Sequence, residues 1–404
     1  MNFIFLNTMG SITHGCLYGA ATMKKNIVLL SDGTGNSAAK ISKTNVWRIY
    51  CALNLSKGNQ RAFYDDGVGT SRFSPLRLVS GVFGWGLARN VRELYEQLCR
   101  HYDGGNNDEI FMFGFSRGAF TVRTLAGLVV SCGIIDRDPK KKVRVWRWTT
   151  LSHHDVGLDT DEGLKAAVRE AYRSYRTKYK GRALVWIGRR IRNLFLKAPQ
   201  RPENFNEYYA GGVIPEIKFL GVFDTVDAVG LPVDELSVLL DRYVYPHRFQ
   251  DTNLSPKVKI ACHALALDDE RLSFHPVLWN EVQDENDTKK EDLRDEPPEQ
   301  VWFAGMHTNV GGGYPDDSLA LVPGLWMIDN ACKAGLIFDE QEVKRLSSAA
   351  DECGKLYNSR SGFASFYRYN PRMISKLMDQ VEDKTKRRTK VKIKNVKIHG
   401  SVLE

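Results

Sequence analysis

The sequence predicts an α/β fold with a mostly parallel sheet, helices on both faces and a basic helical insertion. Short runs rich in Val, Ile and Phe alternate along the chain with helical patterns, which is typical of parallel strands joined by helical crossovers. A Gly-x-Ser-x-Gly pentapeptide around Ser116 also follows one such run and precedes an apolar helix. That setting narrows the prediction to an α/β-hydrolase-like sheet.

Five apolar runs have the length and composition of strands buried on both faces. They are residues 26–30, 61–64, 110–113, 217–222 and 301–304. Between them, segments 87–102 and 119–130 carry a helical spacing of apolar residues. Ligands of parallel sheets bind at the carboxyl ends of the strands, so the chemistry is expected in the residues that follow each run.

We predict one domain over residues 23–404, preceded by a loose extension over residues 1–22. Residues 137–201 interrupt the alternation, because they are helical in propensity, heavily basic and contain Trp146, Trp148 and Trp186. We interpret them as an insertion or cap. Tryptophan and basic side chains suit an anionic membrane surface, whereas a charged run is more often a solvated helix face.

Two further segments depart from the alternation of strands and helices. Residues 284–300 are acidic and contain proline, which predicts an exposed loop. Residues 391–398 alternate Lys with Val and Ile, which predicts an edge strand protected by lysines.

The composition limits the class of protein without selecting a substrate. The chain has 404 residues, 43% of them hydrophobic, which is enough for a large core. Its net charge of +9 favours anionic partners. Seven scattered cysteines form no metal-binding pattern, which predicts reduced thiols and no zinc. Without a signal peptide or an apolar run that spans a membrane, a cytoplasmic location is expected by default, and signal-independent export is compatible with the same features.

Ser116 is the predicted nucleophile. A serine between flanking glycines after a buried strand sits on a tight, strained turn where a Cβ on either neighbour would clash with backbone. The helix that follows aims N–H groups at the same point, so the Arg117 amide is expected to donate to an oxyanion formed by attack on a carbonyl. The alternative is a structural Gly-rich turn.

A serine nucleophile needs a histidine base and an acid that orients it, in the order Ser, Asp, His in this class. Asp224 and His307 follow predicted strands in that order, and we predict them as acid and base. Taken singly, Asp224 suits a helix N-cap and His307 a packed loop histidine. Asp227 is the reserve acid. His263 and His275 are rival bases, as they flank an Asp-Asp-Glu-Arg segment.

The turn after the first strand is the predicted source of the second oxyanion N–H, from Gly33 or Thr34. A plain turn is the alternative. This turn lacks the spacing of a dinucleotide-binding motif and the lysine of a P-loop, so we predict no nucleotide cofactor. No cofactor and no metal are expected.

Six motifs of the chain together resemble an uncharacterised α/β-hydrolase family. They are Asp32-Gly33-Thr34 with Asn36; Asp66-Gly67-Val68-Gly69-Thr70; Gly114-Phe115-Ser116-Arg117-Gly118-Ala119; Phe223-Asp224-Thr225-Val226; His263-Ala264-Leu265-Ala266-Leu267-Asp268; and Trp302-Phe303 with Gly305, His307 and Val310-Gly311-Gly312-Gly313-Tyr314. The resemblance covers residues 25 to 372. That family includes the catalytic domains of type VI secretion phospholipase effectors.

The resemblance implies the triad Ser116, Asp224 and His307 and the hydrolysis of an ester, with glycerophospholipid as the substrate class. Asn309 departs from the family, which commonly has Asp two residues after the histidine; if that Asp tunes the histidine, the base here is less basic. The leading hypothesis is an esterase acting on acyl lipid. The alternatives are a soluble esterase or thioesterase acting on a small metabolite, and a binding module with a basic face for nucleic acid. The binding module lacks any nucleic-acid motif, so no nucleic acid is expected as a partner, and no protein partner can be inferred.

Overall fold

A computed structural model describes most of the chain. It covers residues 24–33, 42–67, 82–147, 150, 152–178, 205, 210–226, 253–281, 296–361, 365–375, 393 and 396–403. The predicted extension over residues 1–22 lies outside these ranges, as do Thr34 and Asp227. The side chains of Trp146, Trp148 and Trp186 lie outside them too.

The described residues form nine strands and seven α-helices. The strands are β1 (Asn26–Ser31), β2 (Gln60–Asp65), β3 (Glu109–Phe115), β4 (Lys142–Arg147), β5 (Ser152–Gly157), β6 (Ile217–Phe223), β7 (Val258–Ala266), β8 (Glu299–Phe303) and β9 (Lys397–Ile398). The α-helices are α1 (Asn45–Ala52), α2 (Val82–His101), α3 (Arg117–Cys132), α4 (Asp161–Lys178), α5 (His307–Gly311), α6 (Ser318–Lys333) and α7 (Glu340–Ala349).

Seven of these strands form one sheet in the order β2-β1-β3-β6-β7-β8-β9, and each neighbouring pair is parallel. The central strands β1, β3 and β6 are buried along nearly their whole length, because helices cover both faces. The prediction of a mostly parallel, α/β-hydrolase-like sheet is confirmed. All its strands share a direction, so the carboxyl ends of β3, β6 and β8 meet at one edge.

Two hydrophobic clusters fill the space on either side of the sheet. One joins α2 and α3 to alternate residues of β1, such as Ile27 and Leu29. The other joins α1 and α6 to the intervening residues, such as Val28 and Leu30. This alternation is the two-residue period of a strand buried on both faces.

The inserted segment contains more than helix. Its β4–β5 hairpin is antiparallel, and α4 packs on α2 and α3 rather than directly on the sheet. The prediction of helix holds for α4 but is wrong for the hairpin. The physical reason is visible in β4, where Val143 and Val145 alternate with charged residues at the period of a strand.

The strand β7 was not predicted, although it lies between β6 and β8. Its run contains Cys262 and His263 among small residues, which weakens the apolar signal. At the carboxyl end of the chain, only Lys397–Ile398 of the predicted edge strand is described as strand, and it pairs with β8 at the sheet edge. The predicted loop 284–300 ends early, because Glu299 and Gln300 belong to β8.

Candidate active site

Ser116 lies on the turn between β3 and α3 with the backbone angles φ 57° and ψ −120°. This is left-handed space that a non-glycine residue rarely occupies. Both flanking glycines are required by close packing. A Cβ on Gly114 would lie 2.6 Å from the carbonyl oxygen of Gly118, and a Cβ on Gly118 would lie 2.1 Å from that of Ser31. The turn is therefore wedged between the strand β1 and the start of its own helix.

Three predicted residues meet in one chain of hydrogen bonds. The His307 Nε2 lies 2.8 Å from the Ser116 Oγ, and the His307 Nδ1 lies 2.5 Å from the Asp224 Oδ2. All three residues are buried, with exposures of 6% or less. They come from the ends of β3 and β6 and from α5, so 191 positions separate Ser116 from His307 in the sequence. In this arrangement the imidazole is placed to accept the hydroxyl proton while the carboxylate orients the ring.

Asp224 directly follows β6 and also has a left-handed backbone, with φ 37°. Its N–H donates to the carbonyl of Ala264, and the N–H of Ala266 donates to its Oδ1 at 3.1 Å. The Arg372 Nη1 donates to the Asp224 Oδ1 at 2.7 Å, and the Arg372 Nη2 donates to the Asp224 Oδ2 at 2.8 Å. The acid is thus fixed by the neighbouring strand β7 and by a distant segment of the chain.

The charge of Asp224 is set by its neighbours. Burial alone would raise the pKa of this carboxyl, but the Arg372 guanidinium and the bond from His307 hold the pKa well below its ordinary value. The guanidinium of Arg372 is itself fully buried. Asp224 is therefore ionised at neutral pH.

The imidazole of His307 is held by rings on both sides. Phe115 packs against it at 4.7 Å between ring centroids, and Phe274 meets it edge to face at 5.0 Å. Burial lowers the pKa of His307 below its ordinary value, and the bond to Asp224 only partly offsets this. The neutral form, which accepts a proton, is therefore favoured at neutral pH.

A second carboxylate, Asp269, supports the backbone of the histidine. The His307 N–H donates to the Asp269 Oδ2 at 3.2 Å. Arg271 donates to the same carboxylate from its Nε at 3.0 Å and from its Nη2 at 2.6 Å. The guanidinium of Arg271 also lies 3.5 Å from the ring centroid of Phe274. The neighbouring Asp268 accepts the N–H of Gly305 at 2.6 Å. The sequence indicated this acidic segment only through the rival histidines that flank it and through Asp268, which ends the fifth of the six motifs.

The two rival histidines lie in other settings. His263 is fully buried in β7, and its Nε2 accepts the backbone N–H of Thr225 at 3.1 Å. Burial lowers the pKa of His263 to about 3, consistent with a neutral structural acceptor. His275 is partly buried, and its Nε2 lies 2.9 Å from the carbonyl oxygen of Asn370.

Asn309 makes its hydrogen bonds to backbone groups. Its Nδ2 donates to the carbonyl of Lys355, and its Oδ1 accepts the N–H groups of Met306 and Tyr357. It thus ties α5 to residues 355–357. The first of these bonds uses a nitrogen that Asp lacks, so Asn suits a structural role here.

The two predicted sources of oxyanion donors differ. Arg117 is the first residue of α3, directly after Ser116. The N–H of Gly33 donates to the side chain of Asp32 at 2.6 Å, so that amide is already engaged. Asp32 also accepts the hydroxyls of Thr44 and Tyr64, at 2.5 and 2.7 Å. Burial raises the pKa of Asp32 to about 6 despite these bonds.

Within the described ranges, no cluster of three His, Cys, Asp or Glu side chains is arranged to hold a metal ion. Over the same part of the chain, no helix combines the length and apolar composition needed to cross a bilayer.

The chain is similar in sequence to a known family and to a yeast protein. The sequence profile of a family described as type VI secretion system, phospholipase effector Tle1-like, catalytic domain, matches residues 25–330. The uncharacterized protein YEL023C of Saccharomyces cerevisiae is 25% identical over 269 residues, which are 63% of this chain and 33% of that protein. The chain therefore spans about a third of the length of this curated relative.

Similar solved structures share little sequence with the chain. An uncharacterized protein from Pseudomonas aeruginosa is 16% identical, with a TM-score of 0.43 over 81% of this chain and 49% of that one. A Tle1 effector bound to the VgrG spike of the type 6 secretion system is 15% identical, with a TM-score of 0.33 over 78% and 57%. A butyrate-bound esterase from Thermogutta terrifontis is 12% identical, with a TM-score of 0.34 over 78% and 86%.

The profile match extends over more than half of the chain, and it begins one residue before β1 and ends within α6. It contains Ser116, Asp224 and His307. The chain therefore belongs to the Tle1-like family of type VI secretion phospholipase effectors, through that family's catalytic domain.

Proposed function

We propose that this protein is a serine hydrolase that cleaves carboxylic esters and that its substrates are acyl esters of phospholipid. The observation that carries the proposal is the hydrogen-bonded chain from Ser116 through His307 to Asp224, which begins on a strained turn. A buried ionised carboxylate, a neutral imidazole and a serine hydroxyl are the groups that acyl transfer requires.

The proposed reaction proceeds in two halves. The Ser116 Oγ attacks the ester carbonyl while the His307 Nε2 takes its proton, and the tetrahedral intermediate then expels the alcohol, which leaves with that proton. Water attacks the acyl-serine in the second half, again through His307. Asp224 stabilises the imidazolium that forms in each half. No cofactor is required.

The oxyanion of the intermediate needs N–H donors near Ser116. The Arg117 amide is the proposed first donor, because it follows the nucleophile at the start of α3. Of the two residues considered for the second donor, the engagement of Gly33 with Asp32 favours Thr34.

Family membership and an exposed apolar surface support a phospholipid substrate. Four large apolar side chains are exposed on the segments 351–361 and 365–375: Leu356, Phe366, Tyr369 and Met373. These segments also supply Tyr367, which packs on Phe274 beside His307, and Arg372, which binds Asp224. The exposed apolar side chains are therefore on the same two segments as residues that contact the site, and they are the proposed contact with a lipid surface.

The basic segment 137–201 is a second candidate contact with an anionic membrane. The side chains of its tryptophans are outside the described part of the structure. Its helix α4 packs on α2 and α3. Vesicle co-sedimentation at low and high salt tests this contact, because charge-driven binding weakens as salt rises.

The nucleophile is tested with Ser116→Ala on a chromogenic short-chain ester and on mixed phospholipid vesicles. The variant is expected to fold and to lose at least about 10⁴-fold in kcat on both substrates. Ser348→Ala, which alters an exposed serine of α7, is the matched control and is expected to keep full activity. Substantial activity in Ser116→Ala would make the assignment wrong.

The substrate class is tested with Phe366→Asp. This exposed side chain is expected to matter for vesicles only, so hydrolysis of vesicles falls roughly tenfold while hydrolysis of the soluble ester is unchanged. Val213→Asp, equally apolar and 70% exposed but ahead of β6, is the control. If the protein is instead a soluble esterase, its activity is not expected to rise when the ester concentration exceeds the threshold for forming micelles. If it is a binding module, it is expected to hydrolyse neither substrate.

A further inference from the structure

Arg372 is a buried cation beyond the end of the family match, and it contacts the acid of the proposed triad. Its guanidinium and the Asp224 carboxylate are both fully buried. Two parallel N–H···O bonds of 2.7 and 2.8 Å join them in a fork. Such bidentate pairing fixes the plane of a carboxylate as well as its charge.

The surrounding backbone holds the guanidinium in place. The segment that carries it pairs with the loop after β7, where the Leu272 N–H donates to the Arg368 carbonyl and the Asn370 N–H to the Glu270 carbonyl. The two terminal nitrogens of Arg372 also donate to carbonyl oxygens, those of Ala266 and Phe274. Arg372 is thus fixed from β7 and from the loop that contacts His307.

We propose that Arg372 is a positioning residue for the reaction at Ser116, holding the Asp224 carboxylate ionised and in the plane that the His307 imidazole requires. This inference rests on the proposed function, because without acyl transfer at Ser116 there is no reaction to position.

Arg372 acts on the charge of Asp224 as well as on its orientation. Asp224 is in a site where burial raises the pKa of a carboxyl, and the cation beside it reverses that shift. Without the cation, Asp224 keeps the bonds from His307 and the Ala266 N–H. Its pKa then rises, and the carboxyl takes up a proton at a higher pH. A protonated Asp224 no longer stabilises the imidazolium that forms during catalysis.

Other charged groups face this pair and are left unchanged by the test. His307 faces Asp224 from α5, and His263 faces it from β7 as a neutral acceptor. Asp268 and Asp269 act on Arg372 from the loop after β7. Arg271, which is paired with Asp269, is a further cation that acts on His307. None of them donates to Asp224 in the fork that Arg372 supplies.

The experiment measures the pH dependence of kcat/KM, kcat and KM for Arg372→Met, Arg372→Gln and Arg372→Lys on a soluble ester. The neutral variants are expected to lose roughly 10²-fold or more in kcat at pH 7 with little change in KM. Activity requires a neutral His307 and an ionised Asp224, and loss of the cation raises the pKa of both groups. The acidic limb, which His307 sets in the wild-type protein, is therefore expected to move to higher pH by about one to two units. The Lys variant keeps the charge but loses the fork, so its limb stays in place while kcat falls roughly tenfold.

Arg100→Met is the matched control, because this arginine is also paired with carboxylates, those of Glu96 and Asp161, but lies at the end of α2, away from Ser116. It is expected to keep the wild-type pH profile. Circular dichroism checks the fold of each variant, since removing the cation beside a buried carboxylate is destabilising.

The outcomes separate the two proposals. A folded neutral variant with a wild-type limb and kcat would overturn the role of Arg372 and leave the proposed function intact. Where neither neutral variant folds, the Lys variant decides: a reduced kcat at unchanged KM supports the role, and a wild-type kcat overturns it. A wild-type protein that hydrolyses no ester overturns the proposed function, and this inference with it.

Discussion

At the scale of single residues, the buried imidazole of His307 determines how activity should depend on pH. Burial lowers the pKa of His307 below its ordinary value of 6.5, although Asp224 and Asp269 oppose the shift. The base works in its neutral form, so kcat/KM falls as pH falls through that pKa. We expect the acidic limb to have its midpoint below pH 6.5, measured on a soluble ester. A midpoint well above 6.5 would show that the carboxylates dominate.

The identity of the base is tested by comparing two histidines. His307→Ala removes the group bonded to Ser116 and is expected to lose activity as completely as Ser116→Ala, by about 10⁴-fold. His275→Ala removes a side chain whose Nε2 contacts the Asn370 carbonyl and not Ser116, so a loss below about tenfold is expected. Steady-state hydrolysis of a chromogenic ester distinguishes the two. Inactivity of His275→Ala with activity retained in His307→Ala would exchange their roles.

The sequence indicates the residues that follow strands better than those that support them. Ser116, Asp224 and His307 could be predicted because each comes directly after a strand or near its end. Arg372 could not, since it lies 148 positions from Asp224 in a segment with no apolar pattern. Asp269 was visible only as one acid of a charged run, because the bond that links it to His307 is with a backbone N–H.

At the scale of elements, the start of α3 tolerates less change than its middle. A Cβ on Gly118 would meet the Ser31 carbonyl at 2.1 Å, and backbone there cannot give way. A Cβ on Gly127 of the same helix would meet the end of the Tyr175 side chain, with the hydroxyl at 2.5 Å and no backbone atom among the nearest contacts. The Gly118→Ala variant is therefore expected to lose about 3 kcal/mol in its free energy of unfolding, or to lose most of its activity. The Gly127→Ala variant is expected to remain active, and alanine there has the higher helix propensity.

Thermal unfolding and ester hydrolysis of both variants check this prediction. The contrast is matched, because both changes place the same methyl group in the same helix. Equal stability and activity in the two variants would show that the turn around Ser116 does not depend on its close contact with β1.

Elements with a strong, regular pattern were predicted, and those with a mixed pattern were missed. The runs of β1, β3 and β6 are almost wholly apolar, because helices cover both faces of the central sheet. The strand β7 is also buried in this sheet, but it contains His263, whose imidazole accepts the Thr225 N–H. A polar residue satisfied by a tertiary hydrogen bond cannot be distinguished from a loop residue in the sequence alone.

At the scale of the whole molecule, the parallel sheet brings residues from distant parts of the chain to one edge. The strand ends supply the proposed acid and nucleophile, α5 supplies the proposed base, and the segments 351–361 and 365–375 contact α5 and the acid. This proposed mechanism uses only side chains and backbone. We therefore expect ester hydrolysis to survive incubation with EDTA. Loss of activity on chelation, with recovery on adding Ca²⁺, would show that an ion takes part.

The central claim is that Ser116 is activated by His307, and covalent labelling with a fluorophosphonate tests it most directly. Such a probe reacts with a serine whose proton a neighbouring base removes. The full chain is incubated with the probe, digested and analysed by mass spectrometry, with Ser116→Ala and His307→Ala in parallel. We predict one labelled peptide, modified at Ser116 in the wild-type protein and unlabelled in both variants. No label on Ser116 in a folded wild-type protein, or equal labelling in His307→Ala, would contradict the account.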